Sequence, residues 1–549
     1  MRISHRCKVI VLVLFCLVTF FANRAALPTD IMEARNIITA REIVADGNWL
    51  VPTMNGELRL EKPPLPTWVA AGVEELCPDS LSAQRAAAGV MGCLWTVYLF
   101  LLVRYVSRRD DLATATVMVF LTCYNVVLMG RSATWDIYCH AFMMGGIYYL
   151  TLALCEPGPC WRRFLVSGLF MGLSFLSKGP VSFYTLLLPW LLALSVLRRP
   201  SVRGKWVPMM LLVVVAVVVG GWWYAYLLAA HPAEVAAVVG KETGAWANHN
   251  VRPWYYYWRF FLEMGVWAPL MLAALAIPYW KRRITLRDDY LLAITWALGS
   301  LVLLSLMPEK KTRYLLPSLA PCAMAVACLL AHFRQASLSD RFSRILYAVS
   351  GWLVTAVVVA LPVLMYFFVV RRGLAGVGAV AGLSAAAVLI GAWLAWSTLR
   401  PSPPRFAAGV CALFAVVEMF FLGPVGRSFG NPGGHSIAAV RADARLARIP
   451  FYHNAEEPLR IELVYEAHRK ILPLDLADRR AVRAALPCAI VSQRPLRQEM
   501  PPDVLQGLDT LYIGSFDDNK HPKSDRHYTT DFINRVTLIK TSKTSIPQP

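Results

Sequence analysis

Residues 198–205 read RRPSVRGK, and residues 207–229 read VPMMLLVVVAVVVGGWWYAYLLA. The first stretch carries Arg198, Arg199, Arg203 and Lys205; the second carries no charged side chain. An α-helix rises about 1.5 Å per residue, so the second stretch is long enough to cross a hydrocarbon core of about 30 Å. A basic flank holds such a helix on the inner side of a membrane, and aromatic residues such as Trp222, Trp223 and Tyr224 suit the interface near its other end.

The pattern repeats along the chain. Of 549 residues, 57% are hydrophobic and only 16% charged, and the mean hydropathy is +0.48. Soluble domains are about 45–50% apolar and about 25% charged. About thirteen apolar spans are expected, near 8–23, 83–106, 111–129, 136–155, 163–177, 181–197, 207–229, 259–280, 289–307, 314–332, 345–370, 374–398 and 405–423. Arg2, Arg6 and Lys8 put the N-terminus inside, and the run from Val9 to Ala22 is read as an uncleaved first span. Alternate loops then carry Arg104, Arg108 and Arg109; Arg162 and Arg163; Arg198 to Lys205; Lys281 to Arg287; Arg334, Arg341 and Arg344; and Arg400 and Arg405. Every loop assigned to the inside is basic. The net charge of +20 is thereby explained by topology, and nucleic acid is not an expected partner. Most of the twelve cysteines lie in apolar spans, and none has zinc-site spacing.

An odd number of spans leaves the residues after 424 outside. That tail is charged and punctuated by Pro and Gly. Ala489–Val491 and Thr510–Ile513 read as strands and Glu456–His468 as a helix. The expected fold is a polytopic α-helical membrane domain, residues 1–424, with a long first outside loop at 24–82, followed by a small soluble α/β domain, residues 425–549.

The outside loops break the charge rule. Arg35, Lys62, Arg131, Lys178, Arg252, Lys310, Lys311 and Arg313 lie where basic residues are normally depleted. Charge-assisted binding of a phosphate at the membrane surface would account for them; anionic lipid or snorkelling at helix ends is the plainer alternative. Asp30 and Glu33 are spaced to share a helix face, and they also fit a helix N-cap with its capping-box partner. Asp136 begins an apolar span at the outside edge.

Taken in order, these loops are similar to glycosyltransferase family 39, a GT-C-type membrane family that includes lipid A aminoarabinose transferases and protein O-mannosyltransferases. The likeness rests on Glu33-Ala34-Arg35, Gly47-Asn48-Trp49-Leu50-Val51-Pro52, Asn55-Gly56 and Glu61-Lys62-Pro63-Pro64-Leu65 in the first loop. It continues through Arg131–Asp136, Phe175-Leu176-Ser177-Lys178-Gly179-Pro180, His249–Tyr256 and Lys311–Pro317, and covers roughly residues 1–425. Length, span number and the outside tail resemble the aminoarabinose transferase branch. One departure stands out: Met32 occupies the position of an expected Asp, with Asp30 two residues upstream.

The resemblance implies a sugar donor on a polyprenyl phosphate and an acceptor that is lipid A or another envelope glycan or protein. It implies inverting displacement at the anomeric carbon on the outer face, periplasmic if the membrane is a bacterial inner membrane. Lys62, Lys178 and Arg252, with Arg35, Arg131, Lys311 and Arg313, are the candidate phosphate ligands. Asp30 or Glu33 would be the base for a hydroxyl acceptor, with Asp136 in support. Glu61 and His249 resemble positions that can share a divalent ion. A protein O-glycosyltransferase is an alternative. A lipid-linked sugar flippase is another, although it would be expected to show repeat symmetry and charges deep within spans.

Overall fold

The computed structural model describes residues 5–248, 250–335, 338, 340–371, 373–429, 435–519, 523 and 525–542. The chain divides into two units. One comprises Met1–Ala26, Leu60–Val69 and Cys77–Val425; the other comprises Leu27–Arg59, Ala70–Leu76 and Gly426–Pro549. Most of the first outside loop therefore groups with the tail rather than with the spans.

The first unit is an integral membrane bundle. Among the described residues, eight helices are long and apolar enough to cross a membrane: Leu81–Ser107, Trp135–Cys155, Trp206–Ala230, Arg287–Leu306, Thr312–Gln335, Arg341–Val370, Val380–Leu399 and Pro403–Gly426. The other expected spans are present in shorter or broken form. The first is His5–Phe21. The third splits at Thr122 and Cys123 into Asp110–Leu121 and Tyr124–Met129. Phe183–Leu197 is short, and 254–280 is a run of 3₁₀ turns and short helices kinked at Gly265. The Trp161–Lys178 helix is less apolar because Arg162 and Arg163 open it.

Burial sorts the helices. Trp135–Cys155 and Thr312–Gln335 lie mostly inside the bundle, whereas Trp206–Ala230 is mostly exposed. Its outward Val213, Val214, Val217 and Val218 are the surface a lipid-facing helix needs. It packs closely on Trp161–Lys178. A methyl group at Gly168 would stand 2.6 Å from Leu212 O, and one at Gly172 would stand 2.6 Å from Val219 Cβ. Such small-xxx-small spacing lets two membrane helices approach at backbone distance. That approach sets the position of Lys178, the last residue of its helix.

The second unit is built on a five-stranded sheet of β3 (Phe451–Asn454), β4 (Ile471–Leu474), β5 (Cys488–Ser492), β6 (Leu508–Asp517) and β7 (Ile533–Thr541), in the order β4-β3-β5-β7-β6. β3 is parallel to β4 and β5, while β7 is antiparallel to β5 and β6. The two expected strands lie within β5 and β6, and the expected helix is shorter, Ile461–Ala467, because Pro458 precedes it. β5 is buried on both faces: Ala489 and Val491 join one core, and Cys488 and Ile490 join another. The first of these cores includes Ile38 from the first outside loop.

Ile38 belongs to the helix Ile31–Asp46, which Asp30 starts and Gly47 stops in the left-handed conformation, φ 70°. After it, β1 (Thr53–Met54) and β2 (Glu57–Leu58) form a hairpin across Asn55-Gly56, both with positive φ. The buried Glu42 closes that turn, accepting from Thr53 Oγ1 at 2.7 Å, Asn55 N at 2.5 Å and Gly56 N at 3.1 Å.

Candidate active site

In the membrane unit, Asp136 is the second residue of its helix and is 4% exposed. It pairs with the buried ammonium of Lys178, and Arg313 and His140 are near enough to act on it electrostatically. His140, one helical turn on, has Nδ1 2.7 Å from Ser182 Oγ. Lys178 Nζ lies 5.3 Å from the centroid of the Tyr314 ring, Arg313 at 5.8 Å and Lys311 at 6.0 Å. Each is within cation–π range of one aromatic face or edge. Glu309 pairs with Lys311 at 2.5 Å.

The turn that carries these cations is tied to the segment before Trp254. Val251 and Glu309 form an antiparallel bridge; Lys310 N donates to Asn250 O at 3.1 Å and Arg252 N to Pro308 O at 3.4 Å. Tyr257 clasps the same turn, its hydroxyl accepting from Lys311 N at 3.0 Å and donating to Lys311 O at 3.3 Å. Lys178, Lys311, Arg313 and Asp136 are thus brought together, with Arg252 on the adjoining strand pair.

Three candidates of the membrane unit, Lys62, Glu61 and Arg131, have partners outside this group. Lys62 Nζ is 3.4 Å from Glu242, and Glu61 is 3.5 Å from Lys241. Trp68, a few residues on, stacks on Trp222 at 5.8 Å. Arg131 is 2% exposed; its guanidinium is taken up by Ala22 O, Val18 O and the buried Glu418 at 3.5 Å. Its assignment as a phosphate ligand is therefore corrected: it pins the first helix to the last span. Asn23 completes that joint, donating to Glu418 O at 2.9 Å and Met419 O at 2.7 Å, carbonyls of the wide turn at 417–421.

In the second unit, Asp30 is exposed, and its carboxylate accepts from Met32 N at 2.6 Å and Glu33 N at 2.9 Å. One of its two carboxylate oxygens thus caps the helix. Glu33 is 1% exposed and faces Tyr465, whose hydroxyl meets Thr29 Oγ1 at 3.2 Å. Arg35 follows on the same helix, partly buried. Arg41 anchors the helix to the tail, donating to Tyr465 O at 3.0 Å, meeting His468 Nε2 at 2.7 Å and pairing with Glu74 at 3.7 Å. Asn55 hydrogen bonds Ile471 through both its amide groups, each at 2.7 Å, and Asp46 pairs with Lys470 at 2.7 Å.

His249 lies outside the described residues. No group of three or more His, Cys, Asp or Glu among the described residues could hold a metal ion. The described member of the expected pair, Glu61, already meets a lysine.

Sequence reasoning missed Glu309, Tyr314, Glu418, Glu42, Lys241 and Glu242. Tyr314 stands inside the quoted Lys311–Pro317 motif, and Glu309 directly precedes its lysines. The Lys241-Glu242 pair mirrors Glu61-Lys62 in reverse, a signal that could have been read. Glu418 and Glu42 gave none.

A family model matches the part of the chain that holds the motifs at 61–65, 131–136 and 175–180. Residues 61–224 fit the family model described as dolichyl-phosphate-mannose-protein mannosyltransferase. An undecaprenyl phosphate-α-4-amino-4-deoxy-L-arabinose arabinosyl transferase of Shewanella sediminis is 29% identical over 314 residues, 54% of each chain. The chain is thus similar, over part of its length, to membrane glycosyltransferases of this kind. A relative with the same name from Proteus mirabilis, its transferase 2, is 24% identical over 329 residues, 58% of each chain. The matches span little more than half the length of these relatives. The fold agrees over the whole length. The crystal structure of ArnT from Cupriavidus metallidurans bound to undecaprenyl phosphate matches 99% of this chain and 100% of that one, with a TM-score of 0.68 and 18% identity. Its apo form gives 0.66 at 17% identity, covering 98% of each.

Proposed function

We propose that this protein is a family 39 glycosyltransferase that transfers a sugar from a polyprenyl-phosphate carrier, of the undecaprenyl-phosphate type, to lipid A or a related envelope acceptor. The names of its relatives make 4-amino-4-deoxy-L-arabinose the first sugar to test. The outer, periplasmic face is the reacting side, the N-terminus is cytoplasmic and the tail is periplasmic, in keeping with the basic inside loops.

One observation carries the reading: Lys178, Lys311 and Arg313 gather round Tyr314 beside Asp136. With Arg252, Asp136 and Glu309, four positive charges face two negative ones, a surplus of +2. A sugar-bearing lipid phosphate is a diester with one negative charge. When its bond to the anomeric carbon breaks, the electron pair stays on the phosphate oxygen, and a monoester of nearly two charges leaves. Fixed cations favour that product-like transition state over the bound donor, which is how electrostatic stabilisation accelerates a reaction. The acceptor oxygen enters from the opposite face, so the configuration inverts. If the acceptor is a hydroxyl, its proton must pass to a carboxylate, the role that the resemblance gives to Asp30 or Glu33. If the acceptor is a lipid A phosphate, it is already anionic and no base is needed. The resemblance adds a divalent ion at Glu61 and His249, and no step here depends on it.

The test is a transfer assay with the full chain in nanodiscs, polyprenyl-phosphate-linked aminoarabinose and lipid A, read by product mass. Lys178→Ala and Arg313→Ala should each lower kcat/KM by about 10²–10³-fold. Activity within about threefold of native in both would remove these cations from the mechanism. Transfer to serine or threonine peptides but not to lipid A would favour the protein-glycosylating reading that the family description suggests.

A further inference from the structure

The Glu61-Lys62 motif does not stand open. A helix of the same unit, Pro232–Asn248, presents the opposite dipeptide to it. Lys62 Nζ lies 3.4 Å from Glu242, and Lys241 Nζ lies 3.5 Å from Glu61. Two adjacent charges are thus matched, sign for sign, by two adjacent charges from a segment far along the chain. Glu242 also lies close enough to Tyr224 to act on it electrostatically. The Tyr224 hydroxyl in turn stands beside Gly179, within 3.8 Å of where a side chain there would begin. Gly179 is the residue after Lys178. Tyr224 thus lies between the Lys62–Glu242 pair and the turn after Lys178 as the nearest described link.

We propose that Glu242 is a built-in stand-in for the donor phosphate, holding Lys62 until a polyprenyl phosphate displaces it, with Lys241 steadying the exchange through Glu61. The proposal rests on the reading of Lys62 as a phosphate ligand. The geometry suits an exchangeable contact. The side chains of Lys62 and Glu242 keep 25% and 34% of their exposure, and Lys241 keeps 74%. Ion pairs that exposed are weak and screened. A phosphate offers more acceptor oxygens and at least as much charge, so it competes effectively for the ammonium. With Glu242 in place, a ligand that also gains contacts elsewhere is favoured over a small anion in the exchange. Glu242 is in this sense a residue that sets donor affinity and selectivity, not a catalytic residue.

The experiment measures binding of undecaprenyl phosphate to the full chain in neutral-lipid nanodiscs, alongside donor KM and kcat. Glu242→Gln should bind about two- to five-fold more tightly, with the change in KM rather than kcat, and the gain should shrink at high salt. Glu242→Asp, which keeps the charge, should behave as native. In the Lys62→Ala background, Glu242→Gln should give no gain. If Lys62→Ala weakens binding but Glu242→Gln binds no better than native, the stand-in is refuted and the phosphate role of Lys62 survives. If Lys62→Ala binds and reacts as native, the underlying reading of Lys62 falls with it. Glu242→Ala provides a second route if Glu242→Gln does not fold: it should also tighten binding, and unchanged or weaker binding counts against the proposal.

Discussion

At the scale of single residues, the carboxylates divide by what each already holds. Asp30 accepts two backbone N–H groups at a helix start, so Asp30→Ala should lower stability by about 1 kcal/mol and leave most turnover intact. Glu33 is buried at 1% exposure; Glu33→Gln keeps its shape and should cost activity far more than stability if the acceptor is a hydroxyl. Thermal melts beside transfer rates separate the two. Arg131 and Glu418 are a structural pair in the apolar interior. Glu418→Gln strands a buried guanidinium and should destabilise by about 3–5 kcal/mol, whereas Arg131→Met with Glu418→Leu should recover much of that loss in a melt of the detergent-solubilised protein. Recovery would confirm that Arg131 is no phosphate ligand. Lys178, Lys311 and Arg313 could be singled out in the sequence because they break the charge rule for loops read as outside. Arg131 violated it equally, and its reason, a glutamate nearly three hundred residues away, left no local trace.

At the scale of elements, the first outside loop is organised by the tail. Its helix supplies Ile38 to the tail's core, its hairpin docks Asn55 on the Ile471 backbone, and Arg41 reaches Tyr465 and His468. Asn55→Ala removes both hydrogen bonds to Ile471 and should cost about 1–3 kcal/mol, visible as faster proteolysis or amide exchange across 47–60. Gly56 has φ 80° and would place a methyl 3.0 Å from Leu472 Cδ2, so Gly56→Ala should loosen the same segment. Spans could be read from hydropathy. Breaks at Thr122–Cys123 and Gly265 could not, because apolar content runs straight through them and only the backbone changes. β5 and β6 were readable as short β-rich runs, but the pairing of a loop near the N-terminus with a domain near the C-terminus is a long-range contact that periodicity does not encode.

At the scale of the whole molecule, a membrane bundle carries one set of candidate groups and the loop–tail unit carries another. Removal of residues 435–549 should therefore abolish transfer even with every span retained, since Leu27–Arg59 would lose the core it packs into. The tail also has its own pH response. Burial pushes the Glu466 carboxyl above its ordinary value of 4.5, with Arg441 opposing. The folded state then holds that proton more tightly than the unfolded state, so stability falls as pH rises from about 4.5 through the shifted value. Glu466→Gln should raise the melting temperature at neutral pH, and the gain should vanish below about pH 4.5, where the native residue is protonated in both states. The most direct test of the proposed reaction is intact-lipid mass spectrometry of a deletion strain beside strains carrying the native gene or Lys178→Ala. The expected result is that the deletion accumulates a polyprenyl-phosphate sugar and loses the same sugar mass from lipid A, and that only the native gene reverses both. No change in either lipid pool while the native gene is expressed would contradict the transferase reading.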